Sequence, residues 1–434
     1  MSAAAFEPVS RAFAPDAVGR PVHLRGWMLR SRSSGGILFL LLRDRSGTVQ
    51  VTGKKDVLGE EVFDATEHVQ VEGVIEVEGT VAEDPRAPGG REVRARTVRV
   101  LDAGMPFPIF QEQTEEFRLD HRHLVIRSPE HVATFRIKAE FLRAMRQFLD
   151  AEDVLEVTPP ILTGNPAEGG SEAFAIDYFG RPGYLSQSAQ LYLEALIAPH
   201  ERVYALTPSF RAEKSRTPRH LTEYQHLEVE LAWCDLEDLI AMIERMVVSV
   251  VHAVAERRPT ELRTLGRAPE ELLAIQAPFP RLTYEQAVER LVAQGLPVRW
   301  GSDLATAEER ALTLEARVPL FVTHFPRELK AFYMARSPTD PRTVEAADLL
   351  APEGFGEMVG ASCRETDLAA LRQRIEEMGA NPEEYEWYLD LRRHGNVPHA
   401  GFGLGVERVL RWMLRLEHIR EATPFPRTPS RHTP

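Results

Sequence analysis

The chain has 434 residues, 43% hydrophobic and 27% charged, and a formal net charge of −13. That is room for two or three domains with their own cores. No apolar run reaches the roughly 18 residues of a membrane-spanning helix, and the acidic balance excludes a general polycation that coats nucleic acid. The charge is uneven, −1 over residues 1–104 and −12 over the remainder, so local basic grooves stay possible. The opening "MSAAAFEPVSRAFAPD" lacks a basic start followed by an apolar stretch, so no secretory leader is expected. Cys234 and Cys363 form no metal-type spacing and fit a reducing, cytoplasmic location.

From Pro21 to Leu101 short alternating strands are punctuated by Gly and Ser, which predicts a small closed barrel such as an OB-fold over residues 1–104. Within "ILFLLLRD", Phe39, Leu41 and Arg43 share one face, opposite Leu38, Leu40 and Leu42. Eleven residues after Phe39, Gln50 falls on the polar face of the next strand. The prolines of "DAGMPFPIF" open a hinge over 105–130. Helical period begins near Glu130, with Phe135, Ala139, Leu142, Met145 and Leu149 on one stripe. Over 131–434 strands and helices mix without regular βαβ alternation, which predicts an α+β domain with an antiparallel sheet flanked by helices. Residues 255–320, rich in Arg, Glu, Ala and Leu, read as a helical insertion.

Three segments of the second domain carry chemistry. The first, "FLDAEDVLEVTPPILTG" (148–164), is a helix running into a strand. The second, "FRAEKSRTPRHLTEYQHLEVE" (210–230), has a proline in its middle and then alternates with period two. Leu227, Val229 and Leu231 point one way and Tyr224, His226, Glu228 and Glu230 the other, a polar floor on an apolar backing. The third, "HAGFGLGVERVLRWMLRL" (399–416), leads through Gly401, Gly403 and Gly405 into a helix with Arg408 in its first turn. Singly, each has a plainer reading: glycines that allow helix–sheet packing, a solvated arginine, an exposed sheet face.

In this order the three segments resemble motifs 1, 2 and 3 of class II aminoacyl-tRNA synthetases. With the barrel in front, nearly the whole chain resembles the aspartyl/asparaginyl/lysyl subgroup. The resemblance implies ATP and Mg²⁺ as cofactors, an adenylate intermediate, transfer to tRNA, and a homodimer through motif 1. It places Arg211 on the α-phosphate and substrate carboxylate, Glu213 on the adenine amine and Tyr224 on the ring. His220 and Arg408 would lie on the outer phosphates, and Asp348 and Glu357 on the metal, at a spacing longer than the subgroup's norm. Arg211 suits its place because a planar guanidinium binds phosphate and carboxylate bidentately. Phe39, Gln50 and Glu92 would read the middle anticodon base by stacking and hydrogen bonding.

Within the subgroup, "LSQSAQLYLEA" (185–195), "FPRELKAFYM" (325–334) and "GFGEMVGASCRE" (354–365) resemble the asparaginyl branch. That implies asparagine and tRNA(Asn) as substrates and Glu168, Ser188, Gln190, Leu193, Glu228 and Arg364 as the amino-acid pocket. Leu193 stands where aspartyl members carry a lysine, so Arg364 and Glu228 would sum to zero charge and suit a neutral amide. Cys363 stands where a glutamine is expected. Alternatives remain: an aspartyl enzyme that charges both tRNAs, a synthetase-derived protein that amidates aspartate, and a tRNA-binding module without catalysis.

Overall fold

Alternating apolar residues close the first unit into a barrel. The computed structural model describes residues 5–110, 112–164, 172–214 and 217–434. Strands β1 (Pro21–Ser34), β2 (Ile37–Asp44) and β3 (Gly47–Lys54) are followed by helices α1 (Lys55–Leu58) and α2 (Glu60–Glu67). Strands β4 (Val74–Glu83) and β5 (Arg91–Asp102) then complete a closed ring in the order β1-β2-β3-β5-β4. Leu38, Leu40 and Leu42 fill its interior with Leu24, Val49 and Val77. Phe39, Leu41 and Arg43 therefore face outward, as the alternation requires. A β-bulge between Met28 and Arg30 resets the phase of β1. Trp27 before it and Arg30 and Arg32 after it are all exposed on the outer side.

The chain divides into units Met1–Gln113 and Thr114–Pro434. The hinge read from sequence (105–130) straddles that boundary, because α3 (Glu115–Asp120), α4 (Arg122–Val125) and the start of α5 (Pro129–Ala151) belong to the second unit. Ser128 caps α5 by accepting from the His131 amide, and Pro129 sits in the first turn, where its missing N–H costs nothing. The buried stripe of α5 runs through Ile137, Phe141, Ala144, Met145 and Leu149. Ala139 is exposed and Phe135 and Leu142 only half-buried. Apolar periodicity misplaced the stripe because the buried side also holds His131, Thr134 and Glu140; Thr134 donates to the Glu130 carbonyl within the helix, and His131 and Glu140 find partners distant in sequence.

After α5 come β6 (Leu155–Glu156) and a small sheet of β7 (Leu162–Thr163), β8 (Ala175–Tyr178) and β9 (Arg181–Leu185). Next are α6 (Gln190–His200) and the long hairpin β10 (Arg202–Phe210) and β11 (Glu223–Ala232). Helices α7 (Leu236–Arg257), α8 (Pro259–Thr264) and α9 (Pro269–Leu273) lead to β12 (Arg281–Thr283), α10 (Tyr284–Ala293), α11 (Thr306–Thr313) and β13 (Leu320–Thr323). The last elements are β14 (Ala346–Ala351), β15 (Gly356–Cys363), α12 (Leu368–Glu377), α13 (Glu386–Arg393), β16 (His399–Gly405) and α14 (Val406–Met413).

Eight strands form the main sheet in the order β12-β13-β14-β15-β16-β11-β10-β6. Its interior pairings are antiparallel; only the two edge pairs, β12/β13 and β10/β6, are parallel. The 255–320 segment is thus not a purely helical insertion, since it supplies the edge strand β12. One face of the sheet is apolar: Leu227, Val229, Leu231, Phe402 and Leu404 pack with α5, α7 and α14 in the largest core. The opposite face of β11 carries Tyr224, His226, Glu228 and Glu230, as period two demands.

At the junction of α5, α7 and α8 the buried Glu140 accepts from Arg143 at 2.7 Å, Arg257 at 3.1 Å and Arg258 at 3.0 Å. Burial alone would raise this carboxyl, but Arg257, Arg143 and Arg258 outweigh it and hold it below its ordinary value. Its stabilisation is therefore complete above the unfolded value near 4.5 and is lost as pH falls through the lower folded value. Glu140→Ala should cost about 3–5 kcal/mol in urea unfolding at neutral pH. The gap between variant and parent should shrink as the medium is acidified below the range where glutamate ionises.

Candidate functional site

The polar face of the sheet holds two adjoining cavities. Both are lined by Arg211, His226, Glu357 and Gly403. The narrower one adds Arg219, His220, Tyr224, Glu407 and Arg408. The larger, about 720 Å³, reaches Ser188, Gln190, Glu228, Glu230, Lys330, Tyr333, Asp348 and Arg364. Its floor is kept low by β16. A Cβ on Gly401 would stand 2.1 Å from Glu230 Oε2 and 2.4 Å from the Val229 carbonyl, and one on Gly403 would stand 2.6 Å from His226 Nε2. The glycines do not merely introduce a helix; they are strand residues over which β11 side chains lie.

At the narrow end, Arg211 follows β10 directly and stands 5.8 Å from the centroid of Tyr224, whose ring lies 5.5 Å from His226. His220 Nδ1 bonds the Thr217 hydroxyl, and its Nε2 lies 4.0 Å from Glu213. Burial, then Arg408 and the neighbouring arginines, outweigh Glu213 and depress the His220 imidazole to about 4, so it is neutral at pH 7. Arg408 donates to Glu357 at 3.1 Å. A buried carboxylate that sequence reading missed, Glu309 of α11, takes the Glu357 amide at 3.1 Å and a guanidinium bond from Arg219. Burial pushes Glu309 up to about 7, Glu357 adding to the rise against Arg219. No local pattern announces it, because it arrives from a helix ninety residues beyond its partner Arg219.

Asp348 and Glu357 meet over Gly360: a Cβ there would lie 3.4 Å from Glu357 Oε1 and 3.8 Å from Asp348 Oδ1. Their long separation in sequence is absorbed by the β14–β15 turn and by a bulge after Leu349, which sets Asp348 opposite Gly360 and Leu350 opposite Glu357. Two hard oxygen donors flanking a residue without a side chain fit a small hard cation such as Mg²⁺. Burial pushes Asp348 up to about 6 against Lys330, with Glu357 adding to the rise. Burial would raise Glu357 too, but Arg408, Lys330, Arg211 and Arg219 bring it down to about 2.

At the broad end Glu228 accepts from the Ser188 hydroxyl and, at 2.8 Å, from the Ala189 amide. The sequence reading set Arg364 and Glu228 together as the pocket's charges; the structure gives Arg364 a different carboxylate partner. Arg364 donates in a fork to Glu230, at 3.0 and 2.9 Å, and to Ser362 Oγ at 2.6 Å. Glu230 lies on the same strand face as Glu228, so the alternation contained it. Leu193 does not line the cavity. It is fully buried with Ala189, Ile197, Val203 and Ala205. Its neighbour Glu194 faces the site's underside and takes bonds from Gln190 (3.0 Å), Tyr388 (2.7 Å) and Arg392 (2.7 Å), with His399 at 3.1 Å. Glu194, Glu230 and His399 cluster closely, but arginines already occupy both carboxylates, which makes the group a charge network and not a cation site. Glu168 lies outside the described residues.

Residues 114–429 match the family described as tRNA synthetases class II (D, K and N), and residues 22–101 match an OB-fold nucleic acid binding domain. The chain belongs to this class II synthetase family. It is 48% identical over 420 residues to the asparagine--tRNA ligase of Thermococcus gammatolerans, covering 97% of each chain. It is 44% identical to that of Desulforamulus reducens, covering 94% of this chain and 96% of the relative. The crystal structure of asparaginyl-tRNA synthetase from Pyrococcus horikoshii complexed with asparaginyl-adenylate superposes with a TM-score of 0.97 at 46% identity over 100% of both chains. A putative aspartyl-tRNA synthetase from Leishmania major Friedlin gives 0.88 at 25% identity, over 100% of this chain and 96% of that one.

In this synthetase the barrel residues are also brought together. Gln50 donates to Glu92 at 3.3 Å, Glu92 accepts from Arg94 at 3.1 Å, and the Arg32 guanidinium lies 4.6 Å from the Phe39 centroid. Phe39 is outward and half-buried, not core. For the floor of the catalytic unit, Gly401→Ala should lower stability by about 1–3 kcal/mol, because backbone cannot yield to the new methyl. Gly405→Ala, whose Cβ would meet only Arg408 side-chain carbons at 3.5 Å, should unfold within about 0.5 kcal/mol of the parent in the same denaturant titration.

Proposed function

We propose that this synthetase activates asparagine with ATP to asparaginyl-adenylate and transfers it to tRNA(Asn). The observation that carries the choice of amino acid is the forked Arg364–Glu230 pair beside Glu228. Arg364 is already neutralised by Glu230, and Glu228 lines the same cavity, so a substrate carboxylate would add a third negative charge to a desolvated pocket. An amide brings an NH₂ donor for the carboxylates and an oxygen that accepts from Arg364, directly or through water. The similarity to asparagine--tRNA ligases and to an asparaginyl-tRNA synthetase complexed with asparaginyl-adenylate supports the same reading.

Chemistry is laid out along the shared wall of the two cavities. The substrate carboxylate attacks the α-phosphorus in line and pyrophosphate leaves, with no general base required. Arg211, at the junction, orients the carboxylate and the α-phosphate. Tyr224 and Glu213 hold the adenine, and Arg408 and His220 face the outer phosphates. Asp348 and Glu357 would hold Mg²⁺, which neutralises phosphate charge when bound. Glu309 and Arg219 keep the Glu357 loop in place. On the barrel, Phe39, Gln50 and Glu92 bind the middle anticodon base. The free edge of β6 and the exposed Leu155 and Leu162 on motif 1 favour a homodimer there. Among the described residues no helix is long and apolar enough to cross a membrane; we place the working enzyme in the cytoplasm.

Pyrophosphate exchange with asparagine should exceed that with aspartate by more than about a hundredfold, since burying an uncompensated charge costs about 3–5 kcal/mol. Comparable exchange with both would replace this reading with that of an aspartyl enzyme charging both tRNAs. Phe39→Ala should slow tRNA charging by roughly ten- to a hundredfold, the value of about 1–3 kcal/mol for a stacked base. Exchange, which needs no tRNA, should be unchanged; an equal fall in both rates would overturn the anticodon role of Phe39.

A further inference from the structure

Among the described residues, Lys330 is a cation at the carboxylate pair that the proposed reaction leaves without a task. Its Nζ donates to Asp348 Oδ2 at 2.6 Å and lies 3.9 Å from the centroid of Phe325. Its backbone carbonyl is tied to Arg374 at 3.1 Å. The ammonium is therefore held by a carboxylate and an aromatic face, on a backbone that Arg374 anchors. Asp348, Glu357 and the more exposed Asp303 line the same cavity. Arg408 satisfies Glu357 from the far side. Each carboxylate of the pair thus has its own built-in counter-charge, but the two differ in kind. Arg408 comes from the helix at the phosphate end, while Lys330 holds Oδ2 of Asp348, the carboxylate whose Oδ1 meets Glu357 across Gly360.

We propose that Lys330 is a resident counter-ion that competes with the divalent cation for Asp348, so that metal enters this site only together with nucleotide phosphates. The inference rests on the assignment of Asp348 and Glu357 as metal ligands. A free divalent ion arriving alone must displace or sit beside a fixed ammonium at close range, where like charges in a partly desolvated cleft repel strongly. An ion arriving on a triphosphate brings oxygens that offset its charge and offer Lys330 new acceptors. The lysine then acts as a positioning residue that couples metal entry to ATP and keeps the two acidic groups from recruiting a cation by themselves.

The test is Mn²⁺ binding to the full chain, followed by water-proton relaxation, with no nucleotide and with β,γ-methylene ATP. Lys330→Met should bind Mn²⁺ alone at least about tenfold more tightly than the parent, and the advantage should shrink when the nucleotide analogue is present. Asp348→Asn in the Lys330→Met background should abolish the gain. Lys330→Gln provides a second isosteric neutral variant, and melting curves establish that each is folded. Equal or weaker Mn²⁺ binding in both folded neutral variants overturns the proposal while the metal site itself stands. A gain that survives Asp348→Asn overturns it as well, since the ion would then bind elsewhere. If the parent shows no enhanced relaxation even with the analogue, the metal-ligand assignment fails, and the proposal fails with it.

Discussion

The catalytic unit depends on how close two strands can bring their charges without side chains between them. β16 pairs alongside β11 in the same sheet, with glycine at the two positions over which Glu230, Arg364 and His226 lie. The forked Arg364–Glu230 bond is buried, so each ion would be costly alone, and each is tolerable only because the other is held in register by neighbouring strands. Below it a second set of charges, Glu194 with Arg392, His399 and Tyr388, keeps the strand ends and α13 fixed. Burial would raise Glu194, but Arg392 and His399 overcome it and hold the carboxyl ionised. The amino-acid end is thus a layered salt lattice, rigid because no member can lose its partner cheaply.

The phosphate end follows a different logic. Its groups come from elements far apart in sequence: Arg211 and His220 from the hairpin loop, Asp348 and Glu357 from β14 and β15, Glu309 from α11 and Arg408 from α14. Apart from Glu309 they are only half-buried, as suits a site whose ligand charge enters and leaves with the nucleotide. The two ends share Arg211 and Glu357, so a displacement of either side chain is felt in both cavities.

Much of this was legible in the sequence, and the exceptions have physical causes. The barrel, the hairpin of motif 2 and its polar face followed from period two, which a half-buried strand must show. Glu230 was on that face but went unpaired, because alternation gives a side and not a partner. Leu193 was assigned to the pocket by its place in a motif, yet α6 turns it into an apolar cluster and presents Glu194 instead. The stripe of α5 was displaced because ion-paired Glu140 is as buried as any leucine there. Asp348 and Glu357 looked too far apart only because linear spacing cannot count a bulge. Glu309 was invisible, since contacts over long separations leave no local pattern.

The reset phase of β1 has a practical side. It turns Trp27 outward beside Arg43, on the strand that also carries Arg30 and Arg32. The other tryptophans, at 233, 300, 387 and 412, all lie in the second unit. The barrel therefore has a single intrinsic fluorophore, placed on its outer wall and not in its core. Emission from that one indole can follow events at the barrel in an otherwise unlabelled protein, with a Trp27→Phe subtraction removing the four signals from elsewhere.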